Sequence, residues 1–124
     1  TLERTRNGPK LVYICAPLRG DVEQNITFAK EKAREVFQAG DIPICPHLMF
    51  PPFADPDDPV QDQAAREMGL RLVEHCQQVN VYGPVRTPGM LAEIRRAEEL
   101  RIPVKADQPW LQKTKGRPRR GQSR

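Results

Sequence analysis

Gln78-Val79-Asn80-Val81-Tyr82, followed by Gly83 to Gly89 and then by Met90-Leu91-Ala92-Glu93-Ile94, decides how this chain folds. The stretch reads as a short buried strand that runs into a Pro/Gly-rich turn and then into the first turn of a helix. In an open parallel sheet, ligands bind beyond the carboxyl ends of the strands, against helix N-termini whose free N–H groups and dipole attract anions. Glu93 lies close to such a helix start and is the first candidate for chemistry.

Upstream, Leu11 to Ala16 is a continuous apolar run with β-branched and aromatic residues, which suits a central strand covered on both faces and stopped by Pro17 and Gly20. Asp21 can cap a helix whose apolar positions Ile26, Ala29, Ala33, Val36 and Phe37 recur at helical spacing, with Gly40 placed to end it. Ile42 to Cys45 gives a second short strand. Prolines Pro46, Pro51, Pro52, Pro56 and Pro59 then stiffen a long connection that also carries Phe50, Phe53, Asp55, Asp57 and Asp58. Phenylalanines need burial, so this connection reads as an ordered flap. Its aspartates suit turn chemistry leading into a helix better than a divalent-cation site.

A helix from about Val60 to Cys76 comes next, with Ala64, Met68, Leu72 and Val73 on one side. Beyond the Gly83–Gly89 turn a third helix runs from Met90 to about Leu100, with a stripe of Ile94, Ala97 and either Leu100 or Leu91. Ile102 to Lys105 is a last short strand, and Trp110 is expected to pack the segment beyond that strand against the body. The order β-α-β-α-β-α-β predicts an α/β fold: a three-layer α/β/α sandwich with a mostly parallel four-stranded sheet, order 2-1-3-4, Rossmann/flavodoxin-like. Its switch point falls between the strands at Leu11 and Val79. The loops Pro17–Asp21 and Gly83–Gly89 then flank one crevice.

With 124 residues the chain is expected to form one domain, residues 11–110, between an N-terminal extension (1–10) and a basic tail (111–124). The net charge of +4 belongs to that tail: six of the 20 basic residues lie in 113–124, leaving 14 basic against 16 acidic in 1–112. A solvated terminus is the favoured reading of the tail, ahead of nucleic-acid binding. No apolar run approaches membrane-spanning length and no secretory leader opens the sequence, so the expected location is cytoplasmic with no membrane partner. Cys15, Cys45 and Cys76 are an odd set for a disulfide framework and read as buried thiols. Cys45 with His47, and His75 with Cys76, lack zinc-ligand spacing, so no metal is expected.

The crevice would collect Arg19, Gly20 and the N–H groups at Asp21 from one loop, and Gly89, Met90 and Glu93 from the other. A guanidinium beside free amides suits a phosphate; the alternative is that Arg19 reaches solvent. Glu93 can serve as a nucleophile or base, attacking an anomeric carbon through a covalent glycosyl intermediate, or make only a favourable contact with the helix dipole.

Tyr13 to Asp21, Cys45 to Pro51, Gly89 to Ile94, Ala97 and Ile102-Pro103-Val104 together resemble the nucleoside 2-deoxyribosyltransferase-like superfamily, nearest its uncharacterised stand-alone domains, over roughly Leu11 to Lys105. The resemblance implies that Glu93 attacks C1′ and releases the base, and that Tyr13, Pro17, Arg19 and Gly20 hold the sugar or its 5′-phosphate. It also implies no cofactor and a homo-oligomer. Active relatives tend to carry aspartates where this chain has Gly69 and Gln77, which leaves Glu67, His47 or a flap residue to orient the sugar. The expected activity is N-glycosidic bond hydrolysis or deoxyribosyl transfer on a nucleoside or nucleotide, with Tyr13, His47 and Phe50 as pocket walls. The alternative is a non-catalytic nucleotide-binding or sensing module in the same crevice.

Overall fold

A computed structural model describes residues 8–17, 22–84 and 86–107. Four strands, β1 (Leu11–Cys15), β2 (Ile42–Ile44), β3 (Gln78–Val81) and β4 (Val104–Ala106), form one parallel sheet in the order β2-β1-β3-β4. The helices are α1 (Val22–Gln38), a short α2 (Pro46–Met49), α3 (Pro59–His75) and α4 (Pro88–Glu99). The strand order and direction are those the sequence predicts.

The central strand is buried on both faces, as its unbroken apolar run requires. Tyr13 and Cys15 point to one face, where Val79 and Val81 of β3, Val73 of α3 and Met90, Ile94 and Ala97 of α4 close over them. Val12, Ile14 and Ala16 point to the other, against Ala29 and Val36 of α1. These two apolar layers make the sandwich.

β3 departs from the expectation of a strand buried throughout. Val79 and Val81 are fully buried, whereas Gln78 and Asn80 are half-buried on the opposite face. That face carries a row of hydrogen bonds: Lys10 Nζ donates to Gln78 Oε1 (3.1 Å), Gln78 Nε2 to Asn80 Oδ1 (2.7 Å) and Asn80 Nδ2 to the Tyr82 hydroxyl (2.9 Å).

Helix ends follow local chemistry. Gly40 takes the left-handed φ of 96° that a helix-terminating glycine supplies and donates its N–H to the Phe37 carbonyl. Asp58 caps α3 by accepting from Val60 N–H at 2.9 Å, with Pro59 as the first helical residue. Thr87 caps α4 in the same way, accepting from Met90 N–H at 3.2 Å ahead of Pro88. Both helices start slightly earlier than periodicity alone suggests.

Several apolar residues expected in the core lie outside it. Phe37 is 55% exposed because Val36, one step of about 100° away on α1, takes the inward position. Met68 is 54% exposed, since α3 turns Gly69, Leu72 and Val73 toward the sheet. In the flap, Phe50 and Phe53 meet edge to face at 5.8 Å, yet Phe53 remains 73% exposed. The flap is ordered through its own backbone, with Phe53 and Ala54 N–H groups on the Phe50 carbonyl and Asp55 N–H on Gln61. It also contains α2, which the sequence did not suggest. The Asp21 cap, Trp110, the first seven residues and the basic tail lie outside the described residues. Among the described residues no helix is long and apolar enough to cross a membrane.

Candidate active site

Because α4 begins at Pro88, Glu93 sits in its second turn, deeper than a first-turn dipole contact. Helical side chains lean toward the N-terminus. From this position the carboxylate reaches down onto β1, where two neighbours on one strand face meet it. The Tyr13 hydroxyl donates to Oε2 at 2.6 Å and the Cys15 thiol donates to Oε1 at 3.3 Å. Both donors are fully buried, so each carboxylate oxygen is held from below by a group that cannot exchange its partner for water.

The electrostatics follow from that burial. Removal from water pushes the Glu93 carboxyl above its ordinary range, while the hydrogen bonds from Tyr13 and Cys15 and the charge of Arg66 pull it back toward ionisation. Burial and the adjacent carboxylate push the Tyr13 phenol and Cys15 thiol far up, which keeps both as neutral donors. The Glu93 carboxylate is thus desolvated but supplied with two hydrogen-bond donors.

Above the carboxylate opens a cavity of about 460 Å³. Glu93, Gly69 of α3 and Met90 of α4 line it, together with Gly89, Thr87 and Arg66 and with His47, Phe50 and Asp55. His47 donates its Nε2–H to the Ala16 carbonyl at the end of β1, tying α2 to the central strand. Burial lowers its pKa, opposed by hydrogen bonds to the Ala16 and Pro17 carbonyls, so the neutral ring is favoured. Arg66 is anchored by Asp62 (Nε to Oδ2, 3.0 Å), and a side chain begun at Gly89 would lie 3.8 Å from its Nη1. Gly69 is buried, and a Cβ there would meet the Tyr13 hydroxyl at 3.1 Å and Glu93 Oε2 at 3.7 Å.

Of the residues expected from sequence, Glu93, His47, Phe50, Gly89 and Met90 come together in this cavity. Tyr13 supports the carboxylate from beneath and is not among the lining residues. Pro17 lines a separate shallow depression with Phe28 and Glu31 of α1. Arg19 and Gly20 lie outside the described residues. Gln77 is remote: its side chain accepts from Leu11 N–H at 2.7 Å, at the end of the sheet where β1 and β3 begin. Glu67 is exposed and holds Gln63, so it does not orient a ligand here. Sequence reasoning missed Cys15 and Arg66 as site residues. Cys15 was detectable as the residue two places from Tyr13 on one strand face; Arg66 had no signal beyond its place three residues before Gly69. Cys45 and Cys76 are buried free thiols, pushed up to about 11 by desolvation. Among the described residues no group of three or more His, Cys, Asp or Glu is placed to hold a metal ion.

Residues 10–107 match the family model described as Domain of unknown function (DUF7768). The chain belongs to the DUF7768 family. No curated protein sequence matches it. Among solved structures, the DUF7768 fold resembles a 2-deoxyribosyltransferase from the psychrotolerant bacterium Bacillus psychrosaccharolyticus, with TM-score 0.63, 11% identity and coverage of 77% of this chain and 70% of that one. It also resembles a 2-deoxyribosyltransferase from Leishmania mexicana, with TM-score 0.61, 12% identity and coverage of 79% and 63%. The chain therefore spans less than two thirds of the Leishmania protein's length. The DUF7768 domain has a 2-deoxyribosyltransferase-like fold.

Proposed function

We propose that this DUF7768 domain cleaves the N-glycosidic bond of a nucleoside or nucleotide, with Glu93 as nucleophile. The observation that carries the reading is the Glu93 carboxylate at the base of a ligand-sized cavity, held at both oxygens by buried donors. The relatives in fold are deoxyribosyltransferases, which supports glycosidic chemistry over other uses of a carboxylate. A carboxylate oxygen attacks C1′ as the C1′–N bond breaks; the base leaves with the electron pair and takes up a proton. Water, or a second base in a transfer, then attacks C1′ and returns the carboxylate. Tyr13 and Cys15 hold the nucleophile at one angle, which is where much of the rate advantage of a positioned reactant originates. His47 and Phe50 wall the cavity, Gly89 and Met90 form its helix-start side, and Arg19 and Gly20 would contact the sugar or a 5′-phosphate. The chemistry asks for no cofactor. A homo-oligomer is part of the same proposal.

A second reading has its own observation. Burial favours the neutral acid form of Glu93, and a neutral carboxyl binds a hydroxyl or an amide without attacking carbon. The domain would then be a nucleotide-binding module.

Base release separates the two. The purified chain and Glu93→Gln are incubated with nucleosides and 5′-monophosphates in ribose and deoxyribose forms, with and without an acceptor base, and free base is measured by chromatography. Release by the wild type that vanishes in Glu93→Gln supports the nucleophile. Binding without release, unchanged in Glu93→Gln, supports the module.

A further inference from the structure

Gly69 occupies the middle of the 17-residue helix α3, buried against the site. A glycine inside a helix is a destabilising choice relative to alanine, because it gains conformational freedom on unfolding and packs no side chain. Its φ is ordinary here, so the backbone does not require it; among the described residues the positive-φ glycines are Gly8, Gly40 and Gly83. What distinguishes the position is its surroundings. Beyond its own helix, a Cβ at 69 would meet the Tyr13 hydroxyl (3.1 Å) and Glu93 Oε2 (3.7 Å), and Gly69 itself lines the cavity. The missing side chain therefore keeps the cavity open beside the carboxylate at a point where even a single added carbon would press on the phenol.

Resting on the glycosidic reading above, we propose that Gly69 sets sugar specificity by leaving room for the 2′-hydroxyl of a ribonucleoside. In a β-nucleoside the base leaves from one face of the sugar and an in-line nucleophile arrives from the other, the face that carries the 2′-hydroxyl in ribose. A carboxylate attacking C1′ through one oxygen brings its second oxygen beside C2′, and hydrogen bonds from a 2-hydroxyl to such a carboxylate strengthen toward the transition state. Attack through Oε1 leaves Oε2, the oxygen beside Gly69, to accept from the 2′-hydroxyl. A deoxyribose would leave that volume empty and Oε2 with Tyr13 as its donor. A side chain at 69 would fill it.

The test is the ratio of base release from a ribonucleoside to that from the matching 2′-deoxyribonucleoside, as kcat/KM, for the full chain and for Gly69→Ala and Gly69→Ser. The wild type is expected to process the ribonucleoside at least as well as its deoxy counterpart. In Gly69→Ala the ratio falls by about tenfold, the size of one hydrogen bond and its space. A substitution that merely displaced the Tyr13 hydroxyl would lower both rates together and leave the ratio unmoved, and Tyr13→Phe serves as that control. Strong wild-type preference for deoxyribose overturns the proposal without any variant, as does an unchanged ratio in a folded Gly69→Ala. In both cases the glycosidic reading stands. No base release from either sugar removes that reading, and this inference with it.

Discussion

The Tyr13 hydroxyl donates to Glu93 Oε2 at 2.6 Å across 80 residues of sequence, joining the central strand to the helix that leaves its neighbour. The contact stabilises the charged form of an acid that burial would otherwise neutralise. Tyr13→Phe deletes the donor and keeps the ring. The variant is expected to fold with a loss of about 1 kcal/mol. Base release should fall by about ten- to a hundredfold, and the acid limb of its pH profile should move to higher pH, since removing a donor to the carboxylate raises its pKa. A profile that stays in place would show that Tyr13 does not act through Glu93.

Glu93→Gln gives a stability test with a definite sign. The folded pKa of Glu93 lies above the ordinary 4.5, so between the two values the native state holds the proton more tightly than the unfolded one. Stability from this group is full below the unfolded value and is lost as pH rises through the folded value. The neutral amide escapes that loss. Thermal melts at pH 8 should place Glu93→Gln above wild type, with the gap closing near pH 4; wild type more stable at pH 8 would contradict a desolvated carboxylate.

Thr87→Ala removes the side-chain cap of α4 and should cost about 1 kcal/mol, measured by urea unfolding, with Thr87→Ser restoring most of it. Because α4 carries Glu93, base release should decline in Thr87→Ala more than in Asp58→Ala, which uncaps α3.

The three cysteines give a readout of packing. With Cys45 and Cys76 pushed up to about 11 and Cys15 further still, the thiolate fraction at pH 8 is of order a thousandth or less. A disulfide reagent should therefore label the native chain slowly and all three thiols after denaturation. Rapid native labelling of one cysteine would locate an opening in that part of the core.

The sheet was legible because β1 is an uninterrupted apolar run stopped by proline, and because alternation of strands and helices admits few connections. Glu93 was legible for the same local reason, a strand followed by a turn and a helix. Its partners were legible only in part: Tyr13 was named as a pocket wall rather than as a support for the carboxylate, and Cys15 only as a buried thiol. Tyr13 and Cys15 are brought to the carboxylate by parallel pairing of β1 with β3, a contact between distant segments that no window of sequence displays. Periodicity also misassigned Phe37 and Met68, since neighbouring apolar positions on a helix compete for one inward direction. The flap's short helix α2 was hidden by prolines that read as loop but can begin a helical turn, as Pro46 does.

β3 has one apolar and one polar side, and the polar side is stitched from Lys10 through Gln78 and Asn80 to Tyr82. A slip of one residue would send Gln78 and Asn80 beneath α3 and α4 and expose Val79 and Val81. The strand consequently works as a ruler with a single zero. It fixes how far along the sheet the turn to α4 begins, and so the depth at which a carboxylate 12 residues beyond Val81 comes to rest on Tyr13 and Cys15. Glu93 is aligned by side chains that never touch it.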